Sequence, residues 1–508
     1  MSQGVLPYQY EGDLRGSGMT ALGGLPVWLD LAQVAGLSAS IGRHLQVRAG
    51  SQGWTDSQMV MSLILLQLAG GDCVDDLRVL EGDEGLGRLL RRVEHHGLPR
   101  RERRELERRW RKERVRAVPS PSAVFRYLSA FHDASQEGSR VEGKAFIPGA
   151  NEALSGLSRV NRDLLSFVQR RAPQGEATLD MDATLVETNK EEALYCYKKY
   201  KAYQPLNVYW AEAGVVAHTE FRDGNVPADY DLLRVFKETL DGLPAGVETV
   251  FLRSDTAGYD HRLLQYCAEG KHERFGGIGF AVGADVTVAF KRAVAEVPEG
   301  LWRPLCRERN GKQEETEQEV AEVCFVPSWA GYSKKGPSYR FLAIRERFSV
   351  QLGLPDVAAQ PDLPFQTLEM AGCPYKLFGI VTNRDLPGEE LIRWYRGRCG
   401  KSEEAHSVMK EDLAGGKLPS GNFGENAAWW WIMILAFNLN AAMKRLVLGT
   451  EWVARRLKAI RFALIHLPGQ VVEHARKMIV QVSGRHPSLG TLLRARSTIG
   501  EMALQPAV

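Results

Sequence analysis

Two aspartates in a strand-like segment have the types and spacing of a metal-binding site. The segment E-A-T-L-D-M-D-A-T-L-V, residues 176–186, alternates apolar and polar residues, which predicts a β-strand with Asp180, Asp182 and Thr184 on one face. Aspartate is depleted in strands, and two acids inside a strand need something that neutralises them. A structural explanation requires buried Arg or Lys partners, and a functional one requires a divalent cation. We favour the cation.

Two later segments supply further acids. V-E-T-V-F-L-R-S-D, residues 247–255, predicts a strand with Asp255 at its carboxyl end, before a Thr-Ala-Gly turn. Y-R-G-R-C-G-K-S-E-E-A-H-S-V-M-K, residues 395–410, predicts the charged start of a long helix. Glu403 precedes Lys410 by seven residues, or two helical turns, so both share one face. Glu404 is the alternative third carboxylate. Three unrelated salt bridges are the competing explanation, and the strand–strand–helix order of the acids disfavours it.

The segments between the first two acids have the order of a ribonuclease H-like core. A hairpin is predicted at residues 205–212 and 215–222, joined across Ala213-Gly214, and an amphipathic helix at residues 230–240. The predicted order is a strand with acids, then a hairpin, a helix and a strand that ends in an acid. We expect an α/β fold that places Asp182 and Asp255 on neighbouring central strands.

The rest of the chain divides into further regions by pattern. Helical spacing predominates before residue 170, candidate strands separated by charged loops follow residue 260, and a strand is predicted at residues 375–383. The predicted regions are a helical DNA-binding region (1–170), the first part of the core (171–259), a β-rich insertion (260–372), the second part of the core (373–450) and a helical C-terminal region (451–508).

A basic segment lies at the end of the first region. Residues 100–116 carry ten basic residues against four glutamates. An excess of about six positive charges suits a phosphate backbone. A solvated helix face is the alternative interpretation.

Composition narrows the class of protein. The 508 residues are 44% hydrophobic and 25% charged, with a net charge of +3, as in an ordinary soluble protein. The seven cysteines are scattered without a C-x-x-C pair, which argues against a zinc ribbon or a disulfide framework. We see no signal peptide and no apolar run long enough to span a bilayer, the nearest being residues 429–439. A reduced, cytosolic setting without a membrane partner is expected, with Trp429, Trp430 and Trp431 in the core.

These residues together give a family resemblance. The chain resembles bacterial DDE-type insertion-sequence transposases, and among them family thirteen-eighty, in the branch with a Tyr–Arg–Glu–Lys signature. The resemblance covers residues 20–480 and includes V-T-N-R at 381–384 and F-G-E-N-A-A-W at 423–429. The residues that carry it are Asp182 in D-M-D-A-T, Asp255 in F-L-R-S-D-T-A-G-Y, Tyr395, Arg398, Glu403 and Lys410. Four residues separate Arg398 from Glu403, where the family has three.

The resemblance implies a mechanism and partners. Asp182, Asp255 and Glu403 would be catalytic ligands of two Mg²⁺ ions, with Mn²⁺ as a substitute. Tyr395, Arg398 and Lys410 would contact DNA phosphates near the scissile bond. The partners would be double-stranded DNA, as transposon ends and target, and a second copy in a homodimeric synaptic complex. The location would be the bacterial cytoplasm, in association with the nucleoid. Trp329 is a candidate for stacking on a flipped base, with a core role as the alternative.

Three other functions fit part of the pattern. A metal-dependent nuclease of the same core would cleave DNA without joining it. A glycosidase would use a carboxylate pair such as Asp182 and Asp255 without metal. A catalytically silent DNA-binding protein would tolerate the loss of Asp182. The large insertion and the helical N-terminal region favour transposition, because end recognition and synapsis need extra surface.

Overall fold

A computed structural model of the chain describes residues 18–505, with gaps at 49, 51, 111–113, 142, 310–311, 331–338, 348–364, 371 and 476. Its architecture is mixed α/β, with many helices around one large mixed sheet. The predicted α/β class is therefore confirmed. Parts of the predicted basic segment and of the predicted insertion lie outside the described residues.

The N-terminal part is helical, as the apolar spacing predicts. Among the described residues, a two-residue strand, β1 (Met19–Thr20), precedes nine helices, which are α1 (Pro26–Val34), α2 (Leu37–His44), α3 (Asp56–Ala69), α4 (Leu77–Gly82), α5 (Glu84–Glu94), α6 (Arg100–Arg108), α7 (Pro121–Leu128), α8 (Ala134–Glu137) and α9 (Glu152–Arg171). The side chain of Thr55 caps α3 in a capping box with Gln58.

The large sheet runs in the order β6-β5-β2-β7-β8-β13-β11-β10-β9, with β12 paired to β13. Its strands and the short pair β3–β4 are β2 (Glu176–Ala183), β3 (Val186–Glu187), β4 (Ala202–Tyr203), β5 (Leu206–Trp210), β6 (Val215–Glu220), β7 (Thr249–Ser254), β8 (Gly279–Ala284), β9 (Arg303–Arg309), β10 (Lys312–Val323), β11 (Arg340–Arg347), β12 (Thr367–Met370) and β13 (Cys373–Thr382). Three helices lie between these strands in the chain: α10 (Leu232–Gly242), α11 (His261–Ala268) and α12 (Val288–Ala295).

The register of the central strands places two predicted acids at one level. β2 and β7 are parallel, with Met181 opposite Ser254, so Asp182 comes next on β2 and Asp255 directly follows the end of β7. The predicted hairpin is present as β5 and β6, and Gly214 in its turn has φ +70°. Leu179 and Met181 face a buried core, which leaves Asp180 and Asp182 on the other face.

Strands predicted as a separate β-rich segment belong to the same sheet. β8 pairs in parallel with β7, and β13 connects β8 to β11. The sheet is thus continuous from the acid-bearing strands into β9, β10 and β11. The regional boundaries drawn from the sequence remain a prediction.

The C-terminal part differs from its prediction in two places. Its elements are α13 (Gly388–Arg396), α14 (Lys401–Ser407), α15 (Phe423–Ala442), α16 (Thr450–Val453), α17 (Leu457–Ile460), β14 (Gly469–His474), β15 (Lys477–Val482) and α18 (Leu489–Leu504). The long helix predicted from Tyr395 is broken into α13, α14 and a π-helical turn at Val408–Asp412. The region predicted to be helical contains the hairpin β14–β15, which pairs with β1. The exposure of successive side chains alternates along β15, as in a strand with one covered face.

Helix α15 is the core helix of the helical part. Trp429 and Trp430 are fully buried and Trp431 is 6% exposed, which confirms the core prediction for the three tryptophans. Among the described helices, Phe423–Leu448 is long and apolar enough to cross a membrane, contrary to the expectation from the sequence. It packs against α3, α9 and β6 in the folded chain.

Candidate active site at the carboxyl ends of two parallel strands

The two aspartates of β2 have different environments. Asp180 is fully buried and forms a bidentate ion pair with Arg253 of β7, with distances of 2.6 Å from Nε to Oδ1 and 2.9 Å from Nη2 to Oδ2. Arg253 also donates to the carbonyl of Trp394 at 2.6 Å. Asp180 therefore has the structural partner that a buried acid needs, and it joins β2, β7 and α13.

Asp182 lacks such a partner. Its side chain is 19% exposed, and its nearest cation is Arg398, with 3.5 Å between Nη2 and Oδ2. Burial raises the pKa of Asp182 to about 6, and the charges of Asp255, Asp180 and Glu403 add to this effect while Arg398 opposes it. The Asp182 carboxylate thus lies among several negative charges, which the positive charge of Arg398 balances only in part. Such an environment favours the binding of a cation.

Asp255 directly follows β7. Its Oδ1 accepts from the backbone N–H of Ala257 at 3.0 Å and caps the short turn Thr256–Gly258. Gly283 of β8 lies against this turn, since a Cβ there would come within 2.8 Å of Thr256 N and 3.1 Å of the Asp255 carbonyl carbon. A side chain at position 283 would displace the backbone that carries Asp255.

Tyr395 and Arg398 reach the site from the end of α13. The Tyr395 hydroxyl donates to the Ser254 carbonyl at 3.2 Å, and burial raises the pKa of Tyr395 to about 12. The chain then turns through Gly400, whose φ of +79° favours glycine and breaks the helix before Glu403. Arg398 lies beside Asp182 with its Nε buried and without a hydrogen-bond partner among the described residues.

Glu403 and Glu404 are exposed in the first turn of α14 and act on different neighbours. The charge of Glu403 contributes to the raised pKa of Asp182. Glu404 instead lines a cavity with Tyr209 and Lys444, on whose pKa values its charge acts. Lys410 lies in the π-helical turn and donates to the Leu185 carbonyl, just beyond β2, at 3.4 Å.

The structure brings these predicted residues to one end of the sheet, with Glu403 at the periphery. Within the described ranges of the chain, no group of three or more His, Cys, Asp or Glu side chains is close enough to hold a metal ion. Asp182 and Asp255 are thus the inner pair, and the roles assigned to all six residues remain predictions.

Some residues at the site were not predicted from the sequence. His406 places its Nδ1 4.0 Å from Asp182 Oδ2, and burial together with Lys410 and Arg398 lowers its pKa to about 4. Asn207 contacts His406 from β5. Arg253 is the buried partner that the structural explanation of Asp180 required. A polar or charged residue inside an otherwise apolar strand was the available signal for Asn207 and Arg253, whereas His406 had none.

The remaining predicted sites lie elsewhere. Trp329 is partly buried against Tyr259 and Tyr339, at ring-centroid distances of 5.9 and 5.5 Å, which supports its core role. The basic helix α6 is exposed along its length. With α5 and β14–β15 it borders a groove of about 560 Å³. Its polar lining consists of Arg88, Arg91, Arg92, His95 and Arg103 together with Glu107 and Glu473.

The chain can be placed among known proteins by comparison. No curated protein matches it. A piggyBac transposase, in a cryo-EM structure of a synaptic complex with hairpin DNA, is similar with a TM-score of 0.44 and 9% sequence identity, over 94% of this chain and 82% of that chain. The family model described as Transposase DDE domain group 1 matches residues 8–331 and 369–503. Because this match spans most of the sequence, the chain belongs to the DDE transposase domain family, group 1.

Proposed function

We propose that this protein is a DNA transposase that binds the terminal inverted repeats of its element, cleaves DNA there and joins the ends to target DNA. The observation that carries the proposal is the pairing of Asp182 and Asp255 at one level of two parallel strands, in a chain of a DDE transposase family. Within that family we assign it to insertion-sequence family thirteen-eighty, on the Tyr–Arg–Glu–Lys residues 395, 398, 403 and 410.

The donor set fits a hard divalent cation. Mg²⁺ in proteins is held by one or two carboxylates together with substrate phosphates and water, rather than by an all-protein cage. A pair of aspartates with a partly compensated charge matches that requirement. We assign Asp182, Asp255 and Glu403 as ligands of two Mg²⁺ ions, for which Mn²⁺ can substitute. When bound, such ions activate the attacking oxygen and stabilise the leaving oxygen of a phosphodiester.

Glu403, rather than Glu404, is our third carboxylate. Its charge acts on Asp182, whereas that of Glu404 acts on Tyr209 and Lys444. The assignment also keeps the six-residue interval to Lys410, although the extra residue before Glu403 departs from the family pattern.

Arg398, Lys410 and Tyr395 position the DNA strand in this proposal. The Arg398 guanidinium lies beside Asp182, with Nη2 3.5 Å from Oδ2, and a phosphate oxygen is a suitable acceptor for such a group. Lys410 adds a positive charge at the same end of β2. These groups would hold the scissile phosphate in line for attack. Tyr395 fixes α13 against the end of β7 and so places Arg398.

The region layout supports the same function. We assign the core to residues 171–259 and 373–450, the insertion to residues 260–372, the helical DNA-binding region to residues 1–170 and the C-terminal region to residues 451–508. Within the proposed insertion, β8 hydrogen-bonds to β7 of the core, so the two regions share one sheet. The arginine-lined groove beside α6 is the proposed binding surface for the DNA ends. The proposed assembly is a homodimer on two ends, in the bacterial cytoplasm at the nucleoid.

A joining assay tests the proposal against its alternative, a nuclease of the same core. Duplexes that carry the repeats flanking the gene are incubated with protein, a target plasmid and Mg²⁺, and the products are mapped. Pre-cleaved ends with a free 3′-hydroxyl should become joined to the plasmid. Cleavage without any joined product would favour the nuclease, and cleavage in the presence of EDTA would exclude the metal assignment.

A further inference from the structure

A row of polar residues crosses three strands behind Asp182. Asn207 of β5 lies opposite Asp182 of β2, and Thr219 of β6 lies opposite Asn207. Asn207 and Thr219 are each 1% exposed. Buried polar side chains in adjacent strands cost stability unless they bind each other or a neighbouring element. Here two elements of the C-terminal part, α14 and α15, complete the row.

The row is a hydrogen-bond relay that runs from α15 to His406, and the His406 ring faces Asp182. Trp430 Nε1 of α15 donates to Thr219 Oγ1 at 3.0 Å, and Thr219 Oγ1 donates to Asn207 Oδ1 at 2.7 Å. Asn207 Nδ2 is 3.3 Å from Nε2 of His406 in α14. The other ring nitrogen of His406, Nδ1, is 4.0 Å from Asp182 Oδ2.

The donors fix the direction of the relay. The Trp430 indole nitrogen can only donate, so Thr219 accepts from it. Of the two acceptors near the Thr219 hydroxyl, Asn207 Oδ1 at 2.7 Å is closer than the Leu206 carbonyl at 3.3 Å and takes its hydrogen. The Asn207 amide then donates to His406 Nε2, which must be unprotonated, and the proton of the ring lies on Nδ1. The reversed amide would put the proton on Nε2 and turn the Nδ1 lone pair toward the Asp182 carboxylate, where two acceptors repel each other.

The proton on Nδ1 therefore faces the same oxygen of Asp182 that Arg398 approaches. Both groups are nearest to Oδ2, at 4.0 and 3.5 Å. Oδ1 is left as the oxygen for a cation. At 4.0 Å the imidazole N–H acts on the carboxylate through its dipole, and contacts of this kind shorten when the reacting complex forms.

We propose that His406 is a positioning residue for Asp182: the Trp430–Thr219–Asn207 relay holds its ring in the Nδ1–H tautomer, which orients the carboxylate so that Oδ1 binds the divalent cation. The inference rests on the proposed function of Asp182 as a metal ligand. Partners of this kind, one shell away from the metal, commonly contribute 10–100-fold to metal affinity or activity.

A matched pair of substitutions tests the role of the donor. An asparagine amide at position 406 places its nitrogen near the Nδ1 position, whereas a glutamine amide reaches the Nε2 position. His406→Asn should therefore retain most of the affinity for Mn²⁺ measured by calorimetry, and His406→Gln should lose about 10–100-fold. The Mg²⁺ concentration for half-maximal DNA cleavage should shift in the same order. Equal losses in both variants would overturn the proposal, because a merely structural role does not distinguish the two amides.

The relay itself is tested at a distance from the metal. Thr219→Val removes the hydroxyl that links Trp430 to Asn207, and it should weaken Mn²⁺ binding. Thr239→Val is the matched control, because Thr239 is equally buried and its hydroxyl donates to the Val235 carbonyl within α10, away from the relay. Unfolding midpoints of both variants show whether each protein is folded. Equal Mn²⁺ affinity in the two folded variants would contradict the relay.

A spectroscopic readout separates this inference from the proposed function. In protein labelled with ¹⁵N-histidine, the His406 ring, assigned by its absence in His406→Gln, should show the neutral Nδ1–H tautomer. The Nε2–H tautomer would overturn the inference whatever the protein does to DNA. If Asp182→Asn still binds Mn²⁺ and cleaves DNA, the proposed function fails instead.

Discussion

At the scale of single residues, the two aspartates of β2 have different roles: Asp180 is structural, and Asp182 is the proposed functional acid. Asp180 and Asp182 share a face of the same strand, yet Asp180 is paired with Arg253 and Asp182 is only approached by Arg398. The alternation of β2 predicted the shared face. The division of roles could not be predicted, because it depends on which side chain β7 places opposite each acid.

Asp182→Asn should stabilise the protein in the absence of divalent metal. The pKa of Asp182 is about 6 in the fold against 3.8 for a free side chain, so ionisation opposes folding. The contribution of Asp182 to the free energy of unfolding is therefore most favourable below pH 3.8, falls as the pH rises toward 6 and is constant above it. At pH 7.5 the penalty is up to about 3 kcal/mol, at about 1.4 kcal/mol for each pH unit. Thermal unfolding in EDTA should give a higher Tm for the variant at pH 7.5 and a smaller difference at pH 4.5.

Asp180→Asn, two residues away on the same face, is the matched control. It leaves Arg253 buried without its carboxylate and should cost about 3–5 kcal/mol at pH 7.5. Mg²⁺ should raise the Tm of the wild type but not that of Asp182→Asn. A lower Tm for Asp182→Asn in EDTA would mean that Asp182 is a structural acid.

At the scale of elements, an interrupted helix positions the residues of the candidate site. The predicted helix from Tyr395 to Lys410 is interrupted at Gly400, and α14 starts afresh with Glu403 in its first turn. Gly400 is visible in the sequence as a helix breaker, but the π-helical turn that follows has no sequence signature. The strands and the hairpin were predictable because period-two patterns are local, whereas the break and the following turn depend on packing against β2, β7 and α15.

Helix α15 also protects the edge of the sheet. β6 is the outermost strand, and Asn438 of α15 accepts from Val216 N at 2.8 Å and donates to Val216 O at 2.9 Å and to Asn161 Oδ1 at 2.7 Å. An amide side chain thus replaces the missing neighbouring strand.

Asn438→Leu should destabilise the protein by about 2–5 kcal/mol. The leucine fills the space but removes the hydrogen-bond partner of the Val216 N–H and that of Asn161 Oδ1 in the core. Urea unfolding monitored by tryptophan fluorescence measures the effect. Gln265→Leu on the exposed face of α11 is the comparison and should change stability by less than about 0.5 kcal/mol. Equal midpoints for both variants would refute the edge-capping role.

At the scale of the whole molecule, the small net charge of +3 conceals an uneven distribution. The exposed helix α6 is rich in arginine and borders the groove formed with α5 and β14–β15. The charge run was evident in the sequence, but its apposition to a hairpin near the C-terminus was not, since residues about 370 positions apart meet there. The continuity of the sheet into the predicted insertion was likewise hidden, because strand pairing between distant segments leaves no local pattern.

Removing two groove arginines should lower the salt dependence of DNA binding. If Arg92 and Arg103 each neutralise a phosphate, the slope of log K against log salt should become shallower by about 1.8 in the double alanine variant. Fluorescence anisotropy with duplex DNA at several salt concentrations measures the slope. Alanine at Arg78 and Arg496, two exposed arginines outside the groove, gives a control of equal charge. The same change of slope in both double variants would show that the groove is not a specific contact surface.

The central claim is that Asp182, Asp255 and Glu403 act together in metal-dependent DNA cleavage. The most direct measurement is the single-turnover rate of cleavage at the flanking repeats in Mg²⁺, for the wild type and for Asp182→Asn, Asp255→Asn, Glu403→Gln and Glu404→Gln. Loss of a metal ligand costs several kcal/mol of transition-state stabilisation, so the first three variants should be slower by on the order of a thousandfold. Glu404→Gln should stay near the wild-type rate. Cleavage by Asp182→Asn at the wild-type rate would contradict the account.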